Sequence, residues 1–94
     1  ASLYNNIGSM FYRQEMFDEA LPFYLKSLEI ELMVLPANHP TIAVTHFNIA
    51  TTYTGLGRFD EAIRSTERSV EQLLKTLPDD HPEVAENRAY IDVI

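Results

Sequence analysis

The stretch PANHPTIAV at residues 36–44 returns as PDDHPEVAE at residues 78–86, so a proline, a His-Pro pair and an alanine recur with the same internal spacing 42 residues apart. Two histidines beside amide and acidic side chains, Asn38-His39 and Asp80-His81, invite a metal-site reading. The same recurrence fits two copies of one connector in a repeating fold. The flanking sequence decides between them.

Sliding the chain against itself by 42 residues extends the match well beyond the connector. Asn6-Ile7 meets Asn48-Ile49, and FDEA at 17–20 meets FDEA at 59–62. Ser27, Glu29, Leu32, Leu35 and Pro36 meet Ser69, Glu71, Leu74, Leu77 and Pro78, and without a gap about a third of the overlapping positions are identical. Periods of roughly 20–50 residues mark solenoids and arrays. Inside each unit the apolar spacing is helical: Leu3, Ile7, Met10 and Phe11 are answered by Thr45, Ile49, Thr52 and Tyr53. A second run, Leu21, Tyr24, Leu25, Leu28, Leu32 and Leu35, is answered by Ile63, Val70, Leu73, Leu74 and Leu77. No strand-type alternation is sustained. Helices are expected near 2–14, 17–35, 41–55, 59–76 and 83–93.

The punctuation agrees with five helices. RQEM and TGLGR separate each first helix from its partner, with Gly55 and Gly57 available for positive φ. Asp18-Glu19 and Asp60-Glu61 fall in the first turn of each second helix, where carboxylates meet the positive end of the helix dipole. At the His-Pro connector, Pro40 and Pro82 suit the first helical turn, whose N–H groups lack partners. Asn38 or Asp80 is the expected cap, with His39 and His81 filling space between helices. Stacked helices about 8–10 Å apart keep the two histidines from sharing one ion, so the His-Pro pairs read as connectors.

Composition narrows the function classes. Lys+Arg 7 against Asp+Glu 14 gives a formal charge of −7, which repels polyanions and argues against nucleic acid and anionic membranes as partners. No cysteine is present, which removes disulfides, thiolate metal sites and cysteine nucleophiles. The longest apolar run, near residues 30–36, is broken by Glu31 and falls short of the roughly 18 residues a membrane span needs. A reducing, cytoplasmic location suits the absence of cysteine. No Gly-rich phosphate loop, paired-histidine helix or nucleophile–base set is present, so no enzyme activity and no cofactor is expected. The opening at Ala1 on a helical pattern, without a leader-like segment, reads as part of a longer protein.

The small, aromatic and alanine positions resemble the tetratricopeptide repeat. Counting Ala1 and Ala43 as first positions, the small eighth residue is Gly8 and Ala50, the aromatic eleventh is Phe11 and Tyr53, and the twentieth alanine is Ala20 and Ala62. Close helix approach is expected where Gly8 faces Ala20 and Ala50 faces Ala62. Tyr4 and His46 stand where the family often has Trp; Tyr24 matches a later aromatic position, whereas Thr66 departs and is expected to loosen the second unit. The ordinary period is about 34 residues. The longer unit, with Asn5-Asn6-Ile7, Glu19-Ala20-Leu21-Pro22-Phe23-Tyr24 and His39-Pro40, looks like kinesin light chain and nephrocystin-type arrays.

The resemblance implies an all-α solenoid of antiparallel helix pairs in a right-handed superhelix. Repeat one would span 1–42, repeat two 43–84, and a terminal helix 83–94. It also implies a concave groove for a partner peptide or helix, lined by Asn5, Asn6, Ser9, Tyr12, Arg13, Phe47, Asn48, Thr51, Thr54 and Tyr90, with Val93 beside them. Asparagine suits such a groove because its amide both donates and accepts; alternatively Asn6 and Asn48 only tie neighbouring helices. Arg13 is the sole cation among these positions, which favours a neutral or mildly basic, partly apolar ligand over an acidic one. A second reading is a structural spacer or self-association module that pairs through its exposed repeat ends. At those ends, Leu3, Phe11 and Phe23 are expected on the outer face of the first pair, and Ala85 and Ile91 at core register in the last helix, where Asp92 takes the position of Gly8 and Ala50.

Overall fold

The computed structural model describes residues 3–94. Five α-helices and no strand are present among them: α1 (Leu3–Arg13), α2 (Phe17–Val34), α3 (Pro40–Gly55), α4 (Phe59–Leu73) and α5 (Pro82–Val93). The chain is an all-α solenoid of two helix pairs, α1–α2 and α3–α4, followed by α5. Residues 1 and 2, including the expected first repeat position Ala1, lie outside the described residues. α4 ends at Leu73 rather than near residue 76, its last turn tightening into a Thr76 N–H to Leu73 carbonyl bond.

The connector has a different cap from the expected one. Asn38 and Asp80 are exposed; the N-caps are His39 and His81 themselves, whose extended backbones let Nδ1 accept from the N–H two residues on. The distances are 3.1 Å to Thr41 N and 3.2 Å to Glu83 N. An imidazole lone pair thus does the work of the usual carboxylate or amide oxygen. Pro40 and Pro82 begin the helices that follow.

Within each pair the turn needs one left-handed residue. Gly57 supplies it at φ 76°, and Glu15, at the same repeat position, adopts φ 59°. Gly55 is not part of this device. It stays helical, and a Cβ there would come within 2.6 Å of the Phe17 ring. Its role is to let α3 approach the start of α2.

At Gly8 the close approach is built against a residue other than the expected one. Ala20, Ala50 and Ala62 are fully buried, but Gly8 faces Tyr24: a Cβ at Gly8 would sit 2.9 Å from the ring. In the second pair Ala50 replaces the glycine and Thr66 replaces the tyrosine. Thr66 is fully buried with its hydroxyl on the Ala62 carbonyl at 2.8 Å, and among the described residues α3 and α4 make the most extensive helix contact. The expected loosening does not occur, because one side chain grew where its neighbour shrank.

Two apolar clusters straddle the junctions between successive helices. Ala20, Tyr24 and Ile49 join α2 to α3, and Ala43, Val70, Leu73 and Val84 join α3, α4 and α5. Each junction carries a buried polar tie at one repeat position. Ser27 Oγ donates to Glu31 at 2.8 Å, and the Glu31 carboxylate also receives the Thr45 hydroxyl at 2.7 Å. One repeat later, Ser69 Oγ meets Asn87 Oδ1 at 2.6 Å and the Ala43 carbonyl at 3.1 Å. Leu32 and Leu74, which share the helical apolar run, lie on the exposed side.

The ends differ. Val84 and Asn87 of α5 are buried, whereas Ala85 is exposed rather than in the core, and Asp92 also faces solvent. The equivalent Ala43 is buried because α4 covers it; among the described residues no helix follows α5 to do the same. At the other end Leu3 is 71% exposed, and Phe11 and Phe23 are half-buried and stacked on each other.

The left-handed position gives a test of this local reading. A non-glycine residue there costs about 1–2 kcal/mol, partly offset by glycine's greater unfolded-state freedom. Glu15→Gly is therefore expected to stabilise the chain by about 0.5–1 kcal/mol, and Gly57→Ala to destabilise it by about 1 kcal/mol, in chemical denaturation. Destabilisation by Glu15→Gly contradicts the assignment.

Candidate protein-interaction face

The first helices α1, α3 and α5 lie side by side, tied by residues at one pair of repeat positions. At the α1–α3 junction the pair is amide: Asn48 Nδ2 donates to Oδ1 of buried Asn5 at 3.4 Å. At the α3–α5 junction it is aromatic: Phe47 meets the edge of Tyr90 with centroids 5.1 Å apart and planes at 64°. The Tyr90 hydroxyl then donates to Thr54 Oγ1 at 2.8 Å, and Thr54 donates to the Ala50 carbonyl at 3.0 Å.

The other residues expected on this face are arranged along it. Asn6 is exposed. Ser9 is half-buried with Oγ 3.0 Å from the Tyr24 hydroxyl. Burial pushes that phenol above its ordinary value, with the Ser9 bond acting in the opposite direction. Tyr12 packs edge-on against Phe17, and exposed Arg13 turns Nε toward the Ser9 carbonyl at 3.5 Å. Thr51 donates to the Asn48 carbonyl at 2.9 Å, and Val93 is 83% exposed at the far end. Asn5, Ser9, Tyr12, Arg13, Thr51, Thr54 and Tyr90 thus have intramolecular partners, leaving Asn6 and the open sides of Phe47 and Asn48 for contact.

A cleft of about 350 Å³ opens between α3 and α5, over the Ser69–Asn87 tie. Val44, Phe47 and Asn48 form one wall, and Glu83 and Glu86 of α5 form the other. Sequence reasoning missed Val44, Glu83 and Glu86. The signal was available in the repeat register: Val44 precedes Phe47 by nearly one helical turn, and Glu86 occupies the same position one repeat later. The cleft combines an apolar strip with an acidic edge, and Val44 is 54% exposed. Among the described residues no cluster of three His, Asp or Glu side chains is arranged to hold a metal, and no helix is long and apolar enough to cross a membrane.

On the opposite side, a smaller cavity of about 190 Å³ lies among α2, α3 and α4, lined by Leu25, Leu28, Ile49, His46, Arg64 and Arg68 among others. Burial holds the His46 imidazole below its ordinary value of 6.5, and nearby Arg68 adds to the effect while Glu71 opposes it. The folded chain therefore binds fewer protons here than the unfolded chain just below pH 6.5. Stability is expected to fall as pH drops through that window, and a proton-NMR titration should give His46 a midpoint under 6.5. Arg68→Gln should move that midpoint upward; an unchanged or lower midpoint contradicts the contribution assigned to Arg68.

Comparison with known proteins agrees with this architecture. The family model for the tetratricopeptide repeat matches residues 1–75. No curated protein gives a significant match to the chain. Repeats of this kind form non-catalytic scaffolds for protein–protein interaction. With its helix pairs, its small residues at the close contacts and a match over most of its length, the chain belongs to the tetratricopeptide repeat family.

Proposed function

We propose that the chain is a non-catalytic protein-interaction module that holds a segment of a partner protein on a concave face formed by α1, α3 and α5, as an adaptor of the kinesin light chain-like kind. The observation that carries this reading is the cleft between α3 and α5, where exposed Val44 and the open side of Phe47 lie beside Glu83 and Glu86. An aliphatic or aromatic side chain fits the strip, a neighbouring Lys or Arg fits the acidic edge, and the Asn6 and Asn48 amides suit the backbone of an extended segment. The favoured ligand is neutral to mildly basic and partly apolar. Cytoplasmic location, with cytoskeletal association, goes with that role, and polyanionic nucleic acid is an unsuitable ligand for a surface of this charge. We further propose repeat units at 1–42 and 43–84 with a terminal helix at 83–94.

Binding to a labelled peptide library of varied charge tests this. Selected peptides should carry an apolar residue next to a basic one and lose less than about tenfold in affinity between 0.01 and 1 M salt, because most of the contact is apolar or backbone. Val44→Asp and Phe47→Ala should each weaken binding at least about tenfold, as buried anchors at an interface cost about 1.4 kcal/mol or more when lost. Selection of acidic peptides whose binding Val44→Asp or Phe47→Ala weakens, or a steep loss of affinity with salt for the peptides these variants affect, contradicts the reading.

A second reading, self-association through the repeat ends, has its own observation. Leu3 and Met10 are 71% and 55% exposed, whereas Thr45 and Thr52, at the same repeat positions in α3, are fully buried against the preceding pair. The α1 face is thus an unfilled version of the α2–α3 junction, and an apolar face of this kind marks an interface. Sedimentation should show association in the roughly micromolar to millimolar range, weakened by Leu3→Glu. A strict monomer over that range excludes it.

A further inference from the structure

The side of the fold away from the α3–α5 cleft carries a site of the opposite charge. Its floor is aliphatic: Leu25 and Leu28 from α2 and Ile49 from α3 line the cavity of about 190 Å³. Its edge is Arg64 and Arg68 of α4, both exposed, and neither is in an ion pair among the described residues. That is unusual in a chain of net charge −7. The other cations are engaged: Lys26 pairs with Glu29, Arg58 with Glu61 and Arg88 with Asp79. Lys75 and Arg13 reach the carbonyls of Ala37 and Ser9. Glu61 borders the cavity but is held by Arg58 through two bonds of 2.7 and 2.6 Å. Glu71 acts on His46, and exposed Glu67 lies between the two arginines along α4 without an ion pair among the described residues.

We infer that this cavity is a second docking site, separate from the α3–α5 cleft, and that it takes an extended acidic segment of a partner protein bearing an aliphatic residue two positions from a carboxylate. Size and spacing set that occupant. The cavity is smaller than the roughly 300 Å³ at which drug-sized pockets begin, so it admits one or two side chains and not a helix about 10 Å across. Arg64 and Arg68 stand one turn apart, about 6 Å along α4. Alternate residues of an extended chain are about 6.6 Å apart and point the same way. Two carboxylates at that spacing can each meet a guanidinium, where charge-assisted bonds are strongest, while the preceding aliphatic side chain enters over Leu28 and Ile49. The site does not depend on the α3–α5 reading, since it shares no residue with that cleft.

The test uses the capped peptide Leu-Ser-Glu-Ser-Glu-Ser-Leu, which offers the motif in either chain direction, against isotope-labelled protein. Binding should shift the amide signals of Leu28, His46, Ile49 and Tyr53 and leave those of Val44 and Phe47 in place. Replacing both glutamates of the peptide by glutamine, or making the Arg64→Gln/Arg68→Gln variant, should weaken binding at least tenfold. Both arginines are exposed, so the variant should keep its helical circular dichroism, and Val44→Asp should bind the peptide as the unchanged chain does. Shifts confined to the α3–α5 face, equal affinity for the glutamine peptide, or no binding at millimolar peptide each overturn the inference.

Discussion

Each junction in this fold turns on a serine buried where one helix pair hands over to the next. Ser27 and Ser69 are essentially inaccessible, and each reaches a polar partner that involves the following first helix: Ser27 through Glu31 to Thr45, and Ser69 to Asn87. A helix pair cannot bury both of its faces alone, so stability resides in these interfaces between neighbours. Burial of Ile42 and Ile49 supplies the non-directional part, about 1.5–3 kcal/mol for each side chain. The polar tie supplies direction. A hydrogen bond to a charged group such as Glu31 contributes about 1.5–3 kcal/mol, and the carboxylate would be costly to leave unpaired in that position. Sliding one helix along the other would strand it, which fixes the register of α3 on α2, as the Ser69–Asn87 bond does for α5 on α4.

That register decides what the faces present. The same two repeat positions hold an amide pair at one junction and Phe47 with Tyr90 at the next, so the face changes chemistry along its length while its backbone geometry repeats. Phe47, Asn48 and Tyr90 are only half-buried, so substitutions there reach the core less directly than those at the buried ties, although the Ser69–Asn87 tie lies beneath the same cleft. A repeating frame of this kind separates the residues that hold the fold from those free to vary with the ligand.

Much of the fold was legible in the sequence, because periodicity of 42 residues and helical spacing both report directly on burial. Less legible were features that depend on what sits across an interface. Gly8 and Ala50 look like one small-residue position, yet the size at Gly8 is set by the Tyr24 ring, and one repeat later the tyrosine position holds Thr66. Asn38 and Asp80 have the usual chemistry of a cap, but the histidines hold the extended backbone geometry that aims an acceptor at the helix. Ala85 repeats Ala43 and is exposed because a core position needs a neighbour as well as an apolar side chain. On the face of α1, α3 and α5, the repeat pattern pointed to residues that close the helices on each other and passed over Val44, Glu83 and Glu86, which line a cleft only because two helices meet.

The central functional claim is that a partner segment lies between α3 and α5. A crystal structure of the chain with a peptide selected for binding tests this most directly. The account predicts a peptide side chain over Val44 and Phe47 with a basic group within hydrogen-bonding distance of Glu83 or Glu86. A selected peptide seated on the open face of α1, or found only between α2 and α4, would contradict it.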